Sequence, residues 1–261
     1  MPIIREPVVA GMFYPADPNE LAATIRNMLA EVKNDQPVPK AIIAPHAGYI
    51  YSGPVAASAY ACLSKAANDI KRVILLGPTH RYPFRGLGLS SADFFVTPLG
   101  QIKIDQDACA QISSLPQVAV VDAAHAQEHS LEVQLPFLQI LLKNFSLVPI
   151  VVGSCDPEQI AEVLEQLWGG QETLIVVSSD LSHFYDYTAA QKMDQQAAQA
   201  ILDLQLEKLN EEQACGRLPI QGLLQAVTNK GLKTSLIDLR NSGDTAGPKD
   251  QVVGYGAFHF G

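Results

Sequence analysis

The sequence predicts a single α/β domain with a mostly parallel central sheet flanked by helices and made mixed by an antiparallel pair. Three observations carry this. The short apolar runs "AIIA", "RVILLG", "SLVPIVVG" and "TLIVVS" read as strands covered on both faces. Helical segments separate them, the alternation that βαβ units produce. The last stretch, "LKTSLIDLRNSGD" then "QVVGYGAFHF", reads as two strands joined by a polar turn. The order of the strands is not encoded in any local pattern.

The elements follow in chain order. "DPNELAATIRNMLAEV" places Leu21, Ile25, Met28, Leu29 and Val32 on one helical face, with Asp17 as N-cap and Pro18 in the first turn. "KNDQPVPK" is a polar link to the first core strand. "SGPVAASAYACLSKAA" predicts a helix of small residues beginning at Pro54, suited to close packing on a sheet. "RVILLGPTH" is the second buried strand. "EHSLEVQLPFLQILLKNF" predicts an amphipathic helix kinked near Pro136. The third strand, "SLVPIVVGSCD", leads to a helix opened by Asp156-Pro157, with Ile160, Val163, Leu164 and Leu167 inward. "TLIVVSSDLSHF" is the fourth strand. In "NEEQACGRLPIQGLLQAV", Cys215-Gly216 marks an abrupt break before a helix opened at Pro219.

Composition narrows the function. The chain has 261 residues, 48% hydrophobic and 17% charged, enough for one large core spanning residues 1–261. The formal charge is −9 with no run of Lys or Arg, which argues against a nucleic-acid or anionic-membrane partner. No apolar stretch approaches the roughly 20 residues that span a bilayer. "MPIIREPVV" has no basic segment followed by an apolar core, so no export signal is expected. Cys62, Cys109, Cys155 and Cys215 are scattered without a CxxC pair, pointing to reduced thiols and a cytoplasmic setting. No solenoid repeat or low-complexity segment interrupts the chain.

In open α/β sheets, ligands gather beyond the carboxyl ends of the strands. The first strand here ends at His46, the second at His80 in "GPTH", and the fourth at Ser178-Ser179-Asp180 with His183 three residues on. The third ends at Cys155-Asp156. A histidine after one strand is commonly a hydrogen-bonded turn residue. Three at corresponding positions, among six in the chain, point instead to a shared site. Two imidazoles plus a third donor suffice for a catalytic metal site with positions left open. Asp180 and Cys215 are both candidates for that donor, and spacing alone does not choose between them. A free cysteine is most often a buried hydrophobe, but near a helix N-terminus its thiolate is favoured.

Other groups carry less. His125 and His129 in "HAQEH" have the H-x-x-x-H spacing of helical ligands, yet they sit at a loop-to-helix junction. "GYIYSGP" reads equally as an anion cradle at a helix start or as a packed tyrosine pair and turn. His259 alternates with aromatics and reads as structural. Cys62 and Cys109 fall within apolar helical patterns and read as core.

The ordered motifs "APHAGYIYSGPVAASAY", "ILLGPTH", "EHSLEVQLPF", "VVSSDLSHF" and "CGRLPI" resemble the MEMO family from about residue 4 to the C-terminus. Its prokaryotic members include protein B of the AmmeMemoRadiSam system, and the family is structurally similar to class III extradiol dioxygenases, which use non-haem Fe(II). The resemblance implies that fold and a metal site of His46, His80 and Cys215. It places Asp180 and His183 beside the metal as acid/base or orienting groups, with His129 as a further pocket residue. Two departures follow. True extradiol dioxygenases complete the triad with a carboxylate, and a cysteine makes the site softer, more tolerant of Cu or Zn. The eukaryotic relatives carry a histidine where this chain has Leu218.

The expectation is a metal-dependent oxidoreductase holding a divalent metal, Fe(II) foremost, Cu or Zn as alternatives, with a small-molecule or peptide ligand in the metal cleft. Two other readings use the same residues. One is a non-catalytic binding protein for a peptide or phosphorylated ligand. The other is a zinc hydrolase with Asp180 or His183 as base. Substrate and oligomeric state are not encoded in any of these motifs.

Overall fold

In the computed structural model, which describes residues 1–33 and 35–261, the chain alternates strands and helices as its apolar runs predict. It begins with β1 (Ile4–Arg5), α1 (Pro18–Ala30), β2 (Ala41–Ala44), α2 (Tyr49–Tyr60) and β3 (Arg72–Pro78). An excursion follows: β4 (Leu87–Leu89), β5 (Phe94–Thr97), β6 (Gly100–Ile104), α3 (Gln106–Ile112), β7 (Val118–Val120) and α4 (Asp122–Ala126). The chain then forms α5 (Leu135–Leu141), β8 (Ser146–Val152), α6 (Pro157–Leu167), β9 (Thr173–Ser178), β10 (His183–Tyr185) and α7 (Tyr187–Leu202). It closes with α8 (Arg217–Lys230), β11 (Thr234–Asn241) and β12 (Val252–Phe260). The polar link expected before β2 includes Asn34, which lies outside the described residues.

The strands join one 12-stranded mixed sheet. At its centre β6, β8, β3, β9 and β2 run parallel in that order. β12 lies antiparallel to β2 and pairs with β11 and β10, so the predicted C-terminal pair makes the sheet mixed. The central strands are apolar on both faces because helices cover both: Val73, Ile74, Leu75 and Leu76 are fully buried, as are Ile42, Ile43, Val176 and Val177. α1 starts as its sequence requires, with the Asp17 side chain accepting from the N–H groups of Asn19 and Glu20 and with Pro18 needing no partner. Asp156 caps α6 reciprocally with Gln159.

Two local expectations are corrected. α2 begins at Tyr49, five residues before Pro54, which lies inside the helix. The buried Tyr49 ring and its N–H bond to the Phe13 carbonyl anchor this extra turn, which tolerates the missing proline N–H. Near Pro136 there is no kinked helix. A 3₁₀ turn (Glu132–Gln134) runs into α5, and the proline sits in the first turn, where its N–H is not needed. The segment from Asp180 to His183 is not helical. The Leu181 N–H bonds the Gly254 carbonyl and the Gly254 N–H bonds the Ser182 carbonyl, which draws this stretch alongside β12. No helix among the described residues is long and apolar enough to cross a membrane.

Candidate metal centre

Because β2, β3 and β9 are parallel neighbours, their carboxyl ends share one rim. β2 delivers His46 there and β3 delivers His80, while Ser178, Ser179 and Asp180 close β9. Cys215 arrives from the segment just before α8. Its N–H donates to the Asp180 carbonyl at 3.3 Å, and the Gly216 N–H donates to Ser179 Oγ at 2.9 Å. A Cβ on Gly216 would meet Ser179 Cβ at 2.6 Å and the Ser178 carbonyl at 2.8 Å, so only glycine lets the thiol approach this closely. The ligand atoms of His46, His80 and Cys215 all lie within 4.8 Å of one another.

The hydrogen bonds fix which ring nitrogens face that point. His46 is buried, with Nδ1 at 2.9 Å from Ser178 Oγ. That hydroxyl spends its proton on the Ser130 carbonyl at 2.6 Å, so towards His46 it accepts. Nδ1 of His46 therefore carries the hydrogen, and its Nε2 presents a lone pair 3.3 Å from Cys215 Sγ. His80 repeats the arrangement through Glu128, whose Oε1 lies 2.8 Å from His80 Nδ1. A carboxylate accepts, so Nδ1 of His80 carries the hydrogen and its Nε2 presents the lone pair. Burial, reinforced by the charges of His80 and His129, holds His46 well below the ordinary histidine range and keeps it neutral. Burial also pushes the Cys215 thiol up, with the Asp180 carboxylate adding to it. Ligating a cation would then release the thiol proton.

His129 joins the cluster. Its ring stacks on His80 at 4.6 Å and meets His46 edge-on at 5.4 Å, with Phe13 at 4.9 Å behind it. Its Nδ1 is 3.5 Å from Glu128 Oε1, and His80, Glu128 and His129 form a second group of closely spaced donors. Asp180 is buried, and its Oδ1 accepts from the His46 N–H at 2.7 Å and the Ala47 N–H at 3.3 Å. Burial raises its carboxyl, opposed by the His183 charge and by those two N–H groups. His183 is half-buried and near enough for its charge to act on both Asp180 and His46.

Other candidates lie elsewhere. His125 is buried with Nε2 at 2.9 Å from the Gly88 carbonyl, and its ring packs edge-on against Phe95; it belongs to neither donor group. Cys155 bonds the Gly153 carbonyl and Asp156 caps α6, so the third strand end contributes no donor to either group among the described residues. His259 bonds the Ala59 carbonyl at 2.8 Å beside Cys62, as a structural residue does. The anion cradle expected at "GYIYSGP" is absent as drawn. Tyr49 gives its N–H to Phe13, and Tyr51 and Ser52 give theirs to Gly48. Tyr49 is packed, with its hydroxyl on the Val133 carbonyl, and Tyr51 is exposed.

Sequence reasoning missed two buried acids and an arginine. Glu128 stands beside His129, but its partner His80 lies 48 residues away. Burial alone would raise its carboxyl, but bonds to His80 and to backbone N–H groups outweigh that and hold it at about 2. Glu132, fully buried, pairs with Arg5 and accepts from the Val8 and Val9 N–H groups and the Tyr14 hydroxyl. Arg5 also donates to the carbonyls of His125 and Glu128, tying the N-terminal segment to the loop that carries His129.

Fold and site together define an α/β protein with an imidazole–thiol cluster on the carboxyl rim of a parallel sheet. The sequence signature of the Memo-like protein family matches residues 5–259. A MEMO1 family protein of Aquifex aeolicus is 37% identical over 97% of each chain. Another from Archaeoglobus fulgidus is 34% identical, covering 98% of this chain and 99% of its own. The Saccharolobus solfataricus MEMO1 family protein SSO0066 is 37% identical, with 98% and 99% covered. The chain belongs to the Memo-like family.

Proposed function

We propose that this protein is a metal-dependent oxidoreductase of the class III extradiol dioxygenase type, acting in the cytoplasm as protein B of an AmmeMemoRadiSam system. In it His46, His80 and Cys215 hold one divalent ion. The observation that supports this best is the convergence of three donor atoms within 4.8 Å, two of them Nε2 lone pairs set by their hydrogen bonds. Tetrahedral ligation with metal–nitrogen and metal–sulfur bonds of about 2.1 and 2.3 Å separates N from S by about 3.6 Å. The 3.3 Å between His46 Nε2 and Cys215 Sγ is close to that separation. The donor set therefore fits a divalent ion; the resemblance to extradiol dioxygenases favours Fe(II), while the soft thiolate also accommodates Cu or Zn.

The ion supplies Lewis acidity and, as iron, one-electron chemistry. The protein's own groups handle protons and orientation. In this reading His183, half-buried and near enough for its charge to act on Asp180, takes a proton from a substrate hydroxyl. His129, stacked on His80, orients the bound molecule. The ligand is a small molecule or a short peptide. Exposed Ile50 and Tyr51 follow the His46 turn and exposed Phe184 adjoins His183, which favours an apolar ligand and equally supports a binding protein without turnover.

Metal analysis of anaerobically purified protein, with O₂ uptake measured against a panel of catechols, tests the proposal. Stoichiometric iron with O₂ consumption supports it. Stoichiometric zinc with ester hydrolysis and no O₂ uptake replaces it with the hydrolase reading. Metal-free protein that binds peptides leaves the binding reading in its place.

A further inference from the structure

We infer that Glu128 is the positioning residue of the centre, fixing the ring orientation and tautomer of His80 and holding His129 beside it. The inference rests on the proposed ligand role of His80. Glu128 is 3% exposed, and its carboxylate accepts from three backbone N–H groups and faces two imidazole nitrogens. Oε2 accepts from the His80 N–H at 2.7 Å, and Oε1 faces the same residue's Nδ1 at 2.8 Å. One carboxylate thus grips both the main chain and the ring of His80. Oε1 also accepts from the N–H groups of His129 at 3.0 Å and Ser130 at 2.9 Å.

The grip is itself anchored. Arg5 donates to the Glu128 carbonyl at 2.6 Å, and Ser130 Oγ donates to the Pro78 carbonyl, two residues before His80. A Cβ on Gly77 would meet Ser130 Oγ at 2.7 Å, so the end of β3 and this loop are packed at glycine distance. His46 is set by a neutral hydroxyl, whereas His80 is set by an anion. An anionic acceptor on Nδ1–H makes the opposite nitrogen more basic and hence a stronger ligand.

Long-range ¹H–¹⁵N NMR of the metal-free imidazoles, with Co²⁺ and Zn²⁺ titrations, tests this. In the parent, His80 should carry its hydrogen on Nδ1. Glu128→Ala should move it to Nε2 and weaken metal binding about 10–100-fold. Glu128→Gln keeps an acceptor oxygen without the charge, so it should retain the Nδ1 hydrogen and an affinity between the other two. A parent with His80 protonated on Nε2, or a folded Glu128→Ala that binds metal as tightly as the parent, overturns the inference. Should Glu128→Ala fail to fold, the parent tautomer decides: a His80 hydrogen on Nδ1 supports the inference and one on Nε2 overturns it. A parent that shows the expected tautomer but binds no metal refutes the proposed function while leaving Glu128 as the group that orients His80.

Discussion

The Sγ of Cys215 lies 3.3 Å from Nε2 of His46, across 169 positions of sequence. β2 and β9 end side by side, and the Asp180 carbonyl and Ser179 hydroxyl at the end of β9 bind the backbone on either side of the thiol. The contact is thus a product of sheet topology, and the sheet is packed without it.

Removal of either histidine should therefore cost metal and spare the fold. His46→Ala and His80→Ala are expected to lose stoichiometric divalent-metal binding by calorimetric titration. Both should keep a cooperative unfolding transition, because the buried strands, and not an ion, join the two halves of the site. A zinc-finger-like protein would unfold instead.

His183 should separate from the ligands. His183→Ala is expected to bind metal like the parent while turnover of a productive substrate falls about 10²–10⁴-fold, as loss of a general acid–base group does. A collapse of metal affinity equal to that of His46→Ala would make His183 a ligand.

How far the sequence foretold this cluster of side chains depends on the range of the interactions. His46 and His80 were legible because a buried strand ending in histidine is a local pattern, and parallel pairing aligns the ends. Cys215 was not decided by spacing; the family resemblance selected it over Asp180. Glu128 escaped notice because its role is defined by His80, 48 residues away, while locally it reads as a polar residue at a loop junction. The extended course of the segment from Asp180 to His183 has no local signal, because it is set by bonds to Gly254 near the C-terminus. Pro54 misled for a similar reason: the helix start is anchored by Phe13, from the far N-terminal segment.

Buried histidine should make the fold acid-sensitive. Burial lowers His125 from 6.5 to about 4, so between those values the unfolded chain binds the proton that the folded chain refuses. Stability is then fully present above about 6.5 and is lost as pH falls towards 4, by up to about 3 kcal/mol from this residue. Urea unfolding of metal-free protein from pH 7.5 to 4.5 checks it. His125→Gln, which can still donate to the Gly88 carbonyl, should flatten the slope.

The most direct measurement of the central claim is the X-ray absorption spectrum of the metal-loaded protein at the metal edge. The site predicts two imidazole nitrogens at about 2.0–2.1 Å and one sulfur at about 2.3 Å, with the sulfur contribution gone in Cys215→Ser. A parent spectrum without sulfur, or one that Cys215→Ser leaves unchanged, would contradict the assignment of His46, His80 and Cys215 as the metal centre.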